Sequence, residues 1–415
     1  MRKSLITAGL STGIAVLMFS LVSCRQANQG NGDMGQDLTP TPEAAAAQLV
    51  SPPMEFLGTV DERMGDLLDY SSVPGASLAL IHQGEVVWEK GYGWADRARE
   101  IPMQSDTLFP VTSISTVVSA WGVMTLVEDG ALDLDSPVGN YLTRWQLESE
   151  TYDPNEVNVQ RILSHTAGLS VVGYSGYADR AELPTLEDLL TGSVENVEAV
   201  ELIESPGSVW SYSAGGYTVL ELVVEDLTGD SFSSYMQQEI LEPLSMKNSS
   251  FELPDGQEEK LAAGHDEAQQ VLEPLYYPAK AASGLYSTAG DLAQFLSASM
   301  EGAADRPVGA GVLDEETVSL MLQPAPNTWS AFQFEDRGRA GMGYALYSLR
   351  NGTTLVLQFG GGQGFRSLAV MAPELGEGMV ILSNSERGEE FIMRLLCAWS
   401  AWATDNVPEM CTSIQ

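Results

Sequence analysis

The chain has 415 residues, 44% of them hydrophobic, enough for one large domain or two ordinary ones with a sizeable core. Its 57 acidic residues against 20 basic ones leave a formal charge of −37. A surface so acidic repels nucleic acid and anionic lipid, which excludes both as direct partners, and it reads first as a solvating surface suited to a salty habitat, with a dedicated cationic partner as the sharper alternative.

At the start, Arg2 and Lys3 precede an apolar run from Leu5 to Val22, and Leu21-Val22-Ser23-Cys24 closes it. This is the pattern of a secretory signal over residues 1–23 with a lipobox, in which Cys24 is acylated after cleavage; a transmembrane anchor is the competing reading. Arg25 rather than an aspartate follows Cys24. The expectation is therefore an exported protein, lipid-anchored to the cell envelope, on the periplasmic face of the outer membrane if the cell is Gram-negative. Residues 24–53, rich in Gln, Gly, Pro, Thr and Ala, read as a flexible linker, 54–405 as the folded body and 406–415 as a C-terminal tail. Cys397 and Cys411 remain, and in an exported chain they are expected to be bridged. No Cys/His cluster has metal-ligand spacing, so neither a metal nor a cofactor is expected.

In the body, residues 75–81 alternate, His82-Gln83-Gly84 breaks the run and Val86 to Lys90 continues it, which predicts a hairpin. From about 113 to 330 the periodicity is mostly helical: Ser113 to Glu128 ends at Gly130, Tyr217 to Leu227 ends at Gly229, and Phe232 to Leu241 follows. Strands then return. Tyr344 to Arg350 and Thr353 to Gln358 flank Asn351-Gly352, a strong hairpin signal, and Ser367 to Ala372 pairs with Met379 to Ser383. A last helix runs from about Glu389 to Ala403. Strands at both ends and helices between predict an α+β fold, an antiparallel sheet completed by the two chain ends beside a mostly helical lobe.

Several blocks then stand in a specific order: Val73-Pro74-Gly75-Ala76, Asp106-Thr107-Leu108-Phe109, Leu163-Ser164-His165-Thr166-Ala167-Gly168-Leu169, Glu242-Pro243-Leu244 and Gly284-Leu285-Tyr286-Ser287-Thr288. Over residues 55 to about 400 the chain resembles the class C β-lactamase-related, penicillin-binding-protein-like serine hydrolases, which include β-lactamases, D-alanyl-D-alanine carboxypeptidases, D-amino-acid peptidases and esterases. The resemblance implies a β-lactamase/transpeptidase-like fold and three catalytic motifs. In Ser-x-x-Lys the serine attacks a carbonyl and the lysine helps remove its proton. Here the motif reads Ser113-Ile114-Ser115-Thr116, and none of the five lysines (Lys3, Lys90, Lys247, Lys260, Lys280) has a serine three residues before it. Tyr-x-Asn reads Tyr212-Ser213-Ala214, and Lys-Thr-Gly or His-x-Gly reads Gln358-Phe359-Gly360. The resemblance further implies an oxyanion hole from the backbone N–H groups of Ser113 and Gly361, although Gly360-Gly361-Gly362 reads as a loose run.

These departures bear on mechanism. A phenol with a pKa near 10 is roughly 0.1% ionised at neutral pH, so Tyr212 without neighbouring cations is expected to stay protonated. Arg366 could receive a substrate carboxylate, but reads first as structural. Lys280 could supply a displaced amine, Ser115 an alternative nucleophile, and His165 a base; each has a plainer structural reading, and His82 and His265 read as turn and surface residues. Trp121 and Trp210 read as packing. Two functions follow: a catalytically impaired member that binds a peptidoglycan-type peptide, an ester, another small ligand or a protein partner, or an active serine hydrolase that uses Ser113 by a modified route.

Overall fold

A computed structural model describes residues 53–302, 306–328 and 337–413. The signal, Cys24 and nearly all of the linker lie outside them. The strands are β1 (Gly75–His82), β2 (Glu85–Asp96), β3 (Ile101–Pro102), β4 (Phe109–Pro110), β5 (Tyr286–Ser287), β6 (Gly338–Ala340), β7 (Ala345–Ser348), β8 (Thr354–Gly362), β9 (Phe365–Ala372) and β10 (Glu377–Ser383). The helices are α1 (Pro53–Ser71), α2 (Ser115–Glu128), α3 (Val159–Leu163), α4 (Leu186–Thr191), α5 (Ala214–Thr228), α6 (Phe232–Met236), α7 (Lys280–Ser283), α8 (Ala289–Ala298), α9 (Glu315–Met321) and α10 (Gly388–Thr404).

Eight strands form one sheet in the order β3-β2-β1-β10-β9-β8-β7-β6. The two ends of the chain meet where β1 pairs antiparallel with β10, Ala76 opposite Ser383 and Leu80 opposite Met379. Because side chains alternate across a strand, β1 serves two cores. Leu78 and Leu80 pack with α1 and α10, whereas Ala79 and Ile81 join the larger core that reaches into the helical lobe. The Asn351-Gly352 turn joins β7 to β8, with Gly352 at φ +95°. Helix α5 stops at Gly229, whose φ of +78° lets its N–H bond the Glu225 carbonyl.

Two expectations need correction. The sequence reading leaves the stretch after residue 53 without an element, yet it is helix α1, whose buried Phe56, Leu57, Val60, Met64, Leu67 and Leu68 follow helical spacing, with Gly58 and Gly65, poor helix formers, on the exposed face. His265 is fully buried rather than on the surface, its Nδ1 3.0 Å from the Asn384 carbonyl, because a loop from the helical lobe crosses onto the sheet there. In the segment after 405, Glu409–Ser413 forms a 3₁₀ turn, Cys411 is buried, and it is bonded to Cys397 of α10 as expected.

Closing a loop of 14 residues constrains the unfolded chain by about 3 kcal/mol on the entropic account. Cys411→Ser should therefore lower the unfolding free energy by roughly that amount in urea titration. Thiol counting on the non-reduced protein should find neither cysteine free; two free thiols would contradict the bridge.

Candidate active site

Ser113 sits on a tight turn between β4 and α2, within the 3₁₀ segment Thr112–Ile114. From Thr107 to Met124 every residue is buried except Ser113, so this stretch presents a single side chain to solvent. Thr112 holds φ +45°, a region that strains a β-branched residue. The turn is fixed from below. β4 pairs with β5, the Val111 N–H donates to the Leu285 carbonyl at 3.0 Å, and the Leu285 N–H donates to Ser115 Oγ at 3.0 Å. That last bond leaves Ser115 fully buried, and it cannot serve as the nucleophile.

Thr116 lies one helical turn beyond Ser113 and is 1% exposed. Its hydroxyl donates back to the Ser113 carbonyl at 2.8 Å. The Gln358 amide donates to the same carbonyl at 3.2 Å and to that of Phe359 at 3.4 Å. Two positions that carry cations in the motifs described above thus hold neutral donors, and both donors are spent on the backbone of the nucleophile turn. Gln358 is buried and already engaged, so its amide is not free to receive a substrate carboxylate.

The glycine run is tight rather than loose. A Cβ on Gly360 would collide with the Val111 carbonyl oxygen, and one on Gly362 would lie 2.6 Å from the Tyr277 hydroxyl and 2.8 Å from Thr112 Cγ2. Only glycine lets the end of β8 lie so close to the turn. Gly361, between them, pairs with Arg366 of β9, beyond the point where β7 ceases to pair with β8. Arg366 donates through Nη1 to the carbonyls of Gly362 at 2.9 Å and Phe365 at 2.7 Å, and so braces this turn. Tyr277 was not singled out in the sequence; its signal was the Tyr276-Tyr277-Pro278 run just before the Gly284 block.

Tyr212 precedes α5, and its phenol lies near enough to the Ser113 hydroxyl for that hydroxyl to act on it. Burial pushes the Tyr212 phenol above its usual range, and the Ser113 hydroxyl offsets this only in part, so Tyr212 is protonated at neutral pH. Ser213 caps α5: its Oγ accepts from the Gly216 N–H at 2.9 Å and donates to the Ser170 carbonyl at 2.7 Å. Ala214 is then the first residue of the helix, 2% exposed.

His165 supports Tyr212 rather than acting on substrate. Its ring packs 4.4 Å from that of Tyr212, its carbonyl accepts from the Ser211 N–H at 2.8 Å, and its Nδ1 accepts from the Ser213 N–H at 3.2 Å. The acceptor role requires neutral imidazole, and burial lowers its pKa to about 3. Lys280 belongs to a different place. Its Nζ is bonded to Glu252, and its side chain lines a cavity that includes neither Ser113 nor Tyr212. It is therefore not a displaced catalytic amine. Trp121 is a packing residue, buried with its Nε1 donating to the Tyr344 hydroxyl at 2.8 Å. Trp210 sets its ring 6.3 Å from that of His165. Among the described residues no group of three or more His, Cys, Asp or Glu side chains is arranged to hold a metal ion, and no helix is long and apolar enough to cross a membrane.

One large antiparallel sheet flanked by helices, with a serine on a strained turn, a tyrosine near it and a glycine-lined strand end, defines the class of β-lactamase-like, penicillin-binding-protein-like folds. The chain belongs to the Beta-lactamase family, whose pattern matches residues 58–396. It is similar to the esterase EstB of Burkholderia gladioli, 29% identical over 258 residues, which are 54% of this chain and 65% of the esterase. It is also similar to the putative penicillin-binding protein PbpX of Bacillus subtilis, 26% identical over 257 residues, 60% of this chain and 61% of that protein. The match thus spans just under two thirds of these relatives' length. The fold is that of an octameric penicillin-binding protein homologue from Pyrococcus abyssi, with a TM-score of 0.69 at 24% identity over 85% of this chain and 78% of that one. SurE shares it too, with a TM-score of 0.70 at 24% identity over 86% of this chain and 78% of SurE.

The neutral state of His165 makes a pH prediction. Its folded pKa lies below the unfolded value of 6.5, so the unfolded chain takes up a proton that the folded chain refuses. This contribution to stability is whole above 6.5 and is lost as pH falls from there towards about 3. His165→Gln keeps an acceptor for Ser213 but does not titrate, so its melting temperature should fall less steeply over that window. An unchanged slope would contradict the assignment.

Proposed function

We propose that this chain is an envelope lipoprotein of the Beta-lactamase family whose serine site is catalytically impaired and which acts by binding a ligand or a protein partner. One observation carries the reading. The residue one turn beyond Ser113 is Thr116, its hydroxyl bonded to the Ser113 carbonyl, and no lysine stands there to take the serine proton. Tyr212 is a poor substitute, because a buried phenol is an acid at neutral pH. General-base help contributes roughly 10²–10⁴ in rate. What is retained is backbone: the strained turn at Thr112 and the close approach of Gly360. The ligand proposed for the cleft is a peptidoglycan-type peptide, an ester or another small molecule; one relative is named an esterase, another a putative penicillin-binding protein, and a structure of SurE holds D-Leu.

A second reading, an active hydrolase of esters or peptides by a modified route, is favoured by the lone exposure of Ser113 opposite Tyr212 and by the relationship to an esterase.

The impaired reading predicts turnover near background on a chromogenic cephalosporin and on D-Ala-D-Ala peptide, and low turnover on short esters. The lost groups act as one unit, so Thr116→Lys alone should restore little, and Thr116→Lys with Ala214→Asn and Gln358→His should restore more. An ordinary rate on the order of 1–10³ per second in the unmodified protein, abolished by Ser113→Ala, would overturn it.

The lipoprotein part rests on Leu21-Val22-Ser23-Cys24. Mass spectrometry of the native protein should find a lipid-modified N-terminal peptide that begins at Cys24, and Cys24→Ala should abolish it. A native protein with no lipid would refute the anchor.

A further inference from the structure

The helical lobe holds a separate cavity of about 480 Å³, a volume typical of small-molecule sites. Aromatic side chains line it, Phe251, Tyr276, Tyr277 and Tyr286, together with three cations and four acids. The cations are already matched. Arg144 is held by Asp226 at 2.6 Å, Glu225 at 2.7 Å and Glu187 at 2.9 Å. Arg180 pairs with Asp255 at 3.1 Å and Glu258 at 3.4 Å, and covers the Tyr276 ring at 4.7 Å. Lys280 pairs with Glu252.

Glu221 is the exception among the acids. It stands in the middle of α5, is 2% exposed, lines the cavity, and makes no ion pair among the described residues. Its Oε2 accepts the Ala281 N–H at 2.9 Å. Burial pushes its carboxyl up to about 8, with Glu225 adding to the rise and the Ala281 N–H and the Lys280 ammonium opposing it, so near neutral pH it carries a proton.

We infer that this cavity binds a small organic amine, its ammonium group seated on Glu221 and its apolar body between Phe251, Tyr277 and Tyr286. An anionic ligand would meet Glu221 and Glu225 and would have to compete for Arg144, Arg180 and Lys280 with the carboxylates that already hold them. The Lys280 ammonium, bonded to Glu252, acts on Glu221 only from a distance, so a ligand cation gives Glu221 a direct ion pair, beside the tyrosine rings of the lining. A chain with a net charge of −37 also concentrates cations around itself. Binding is a proton exchange: the ammonium ion enters, the O–H bond of the Glu221 carboxyl breaks, its proton leaves to solvent, and a carboxylate–ammonium pair remains. The inference does not depend on the state of Ser113.

The test is calorimetric titration of the full chain with phenethylamine near pH 7, in two buffers of unlike ionisation enthalpy, with phenylacetate and 2-phenylethanol as isosteric controls. Phenethylamine should saturate one site with a heat that differs between the buffers, the controls should not bind, and Glu221→Gln should weaken binding by about tenfold or more. Leu183→Trp, which adds bulk to the cavity wall and leaves Glu221 itself in place, should block the site as well and covers the case in which Glu221→Gln does not fold. The inference is overturned if phenethylamine shows no saturable binding, if a folded variant binds it unchanged, or if either control binds as tightly.

Discussion

The end of β8 lies against the turn that carries Ser113 with no side chain between them, and the geometry of the site follows from that contact. Gly360 touches the Val111 carbonyl, Gly362 touches Thr112 and Tyr277, and Gln358 reaches the carbonyl of Ser113 itself. The contact needs support from far along the chain. β1 and β10 must pair to close the sheet, and β4 and β5 must pair to hold the turn in front of it. A side chain at Gly360 would force strand and turn apart and would leave the Ser113 and Gln358 bond without its short span.

Two kinds of conservative force meet in this site. Backbone geometry is kept: the left-handed Thr112, the glycines of β8, the capped start of α5 and the imidazole that fixes Tyr212. The cations of the resembling motifs are not present at the matching positions. Thr116 and Gln358 are neutral, and both have been turned inwards as hydrogen-bond donors to one carbonyl. A turn whose carbonyl is held twice is well ordered, yet neither of those two bonds offers the Ser113 hydroxyl a proton acceptor, and burial keeps the Tyr212 phenol raised. Precise placement of a nucleophile contributes to rate, but a proton still needs somewhere to go.

Much of this was legible in the sequence, and for physical reasons. Period-two alternation and the Asn351-Gly352 turn announce strands because they are local, and Gly130 and Gly229 stop helices through their own left-handed conformation, φ +71° and +78°. The block order of Ser113, Tyr212 and Gln358 marks the site because three distant segments converge there. What the sequence hid depends on packing between remote elements. Glycines 360–362 look flexible until Val111 and Tyr277 are set against them. His265 looks exposed until Asn384 covers it. Glu221 looks like one acid among many on a helix, and becomes a buried carboxyl only because α7, some 60 residues later, lays the Ala281 N–H across it.

The central claim is that no group in the Ser113 site is poised to take a proton at neutral pH, and the pH dependence of Ser113 phosphonylation by a serine-reactive fluorophosphonate tests it most directly. The account predicts a rate that climbs with pH without a plateau up to about pH 9, as for a hydroxyl with no base beside it. A plateau or bell with a midpoint between about pH 6 and 8, lost in Tyr212→Phe, would reveal a working base and contradict the account.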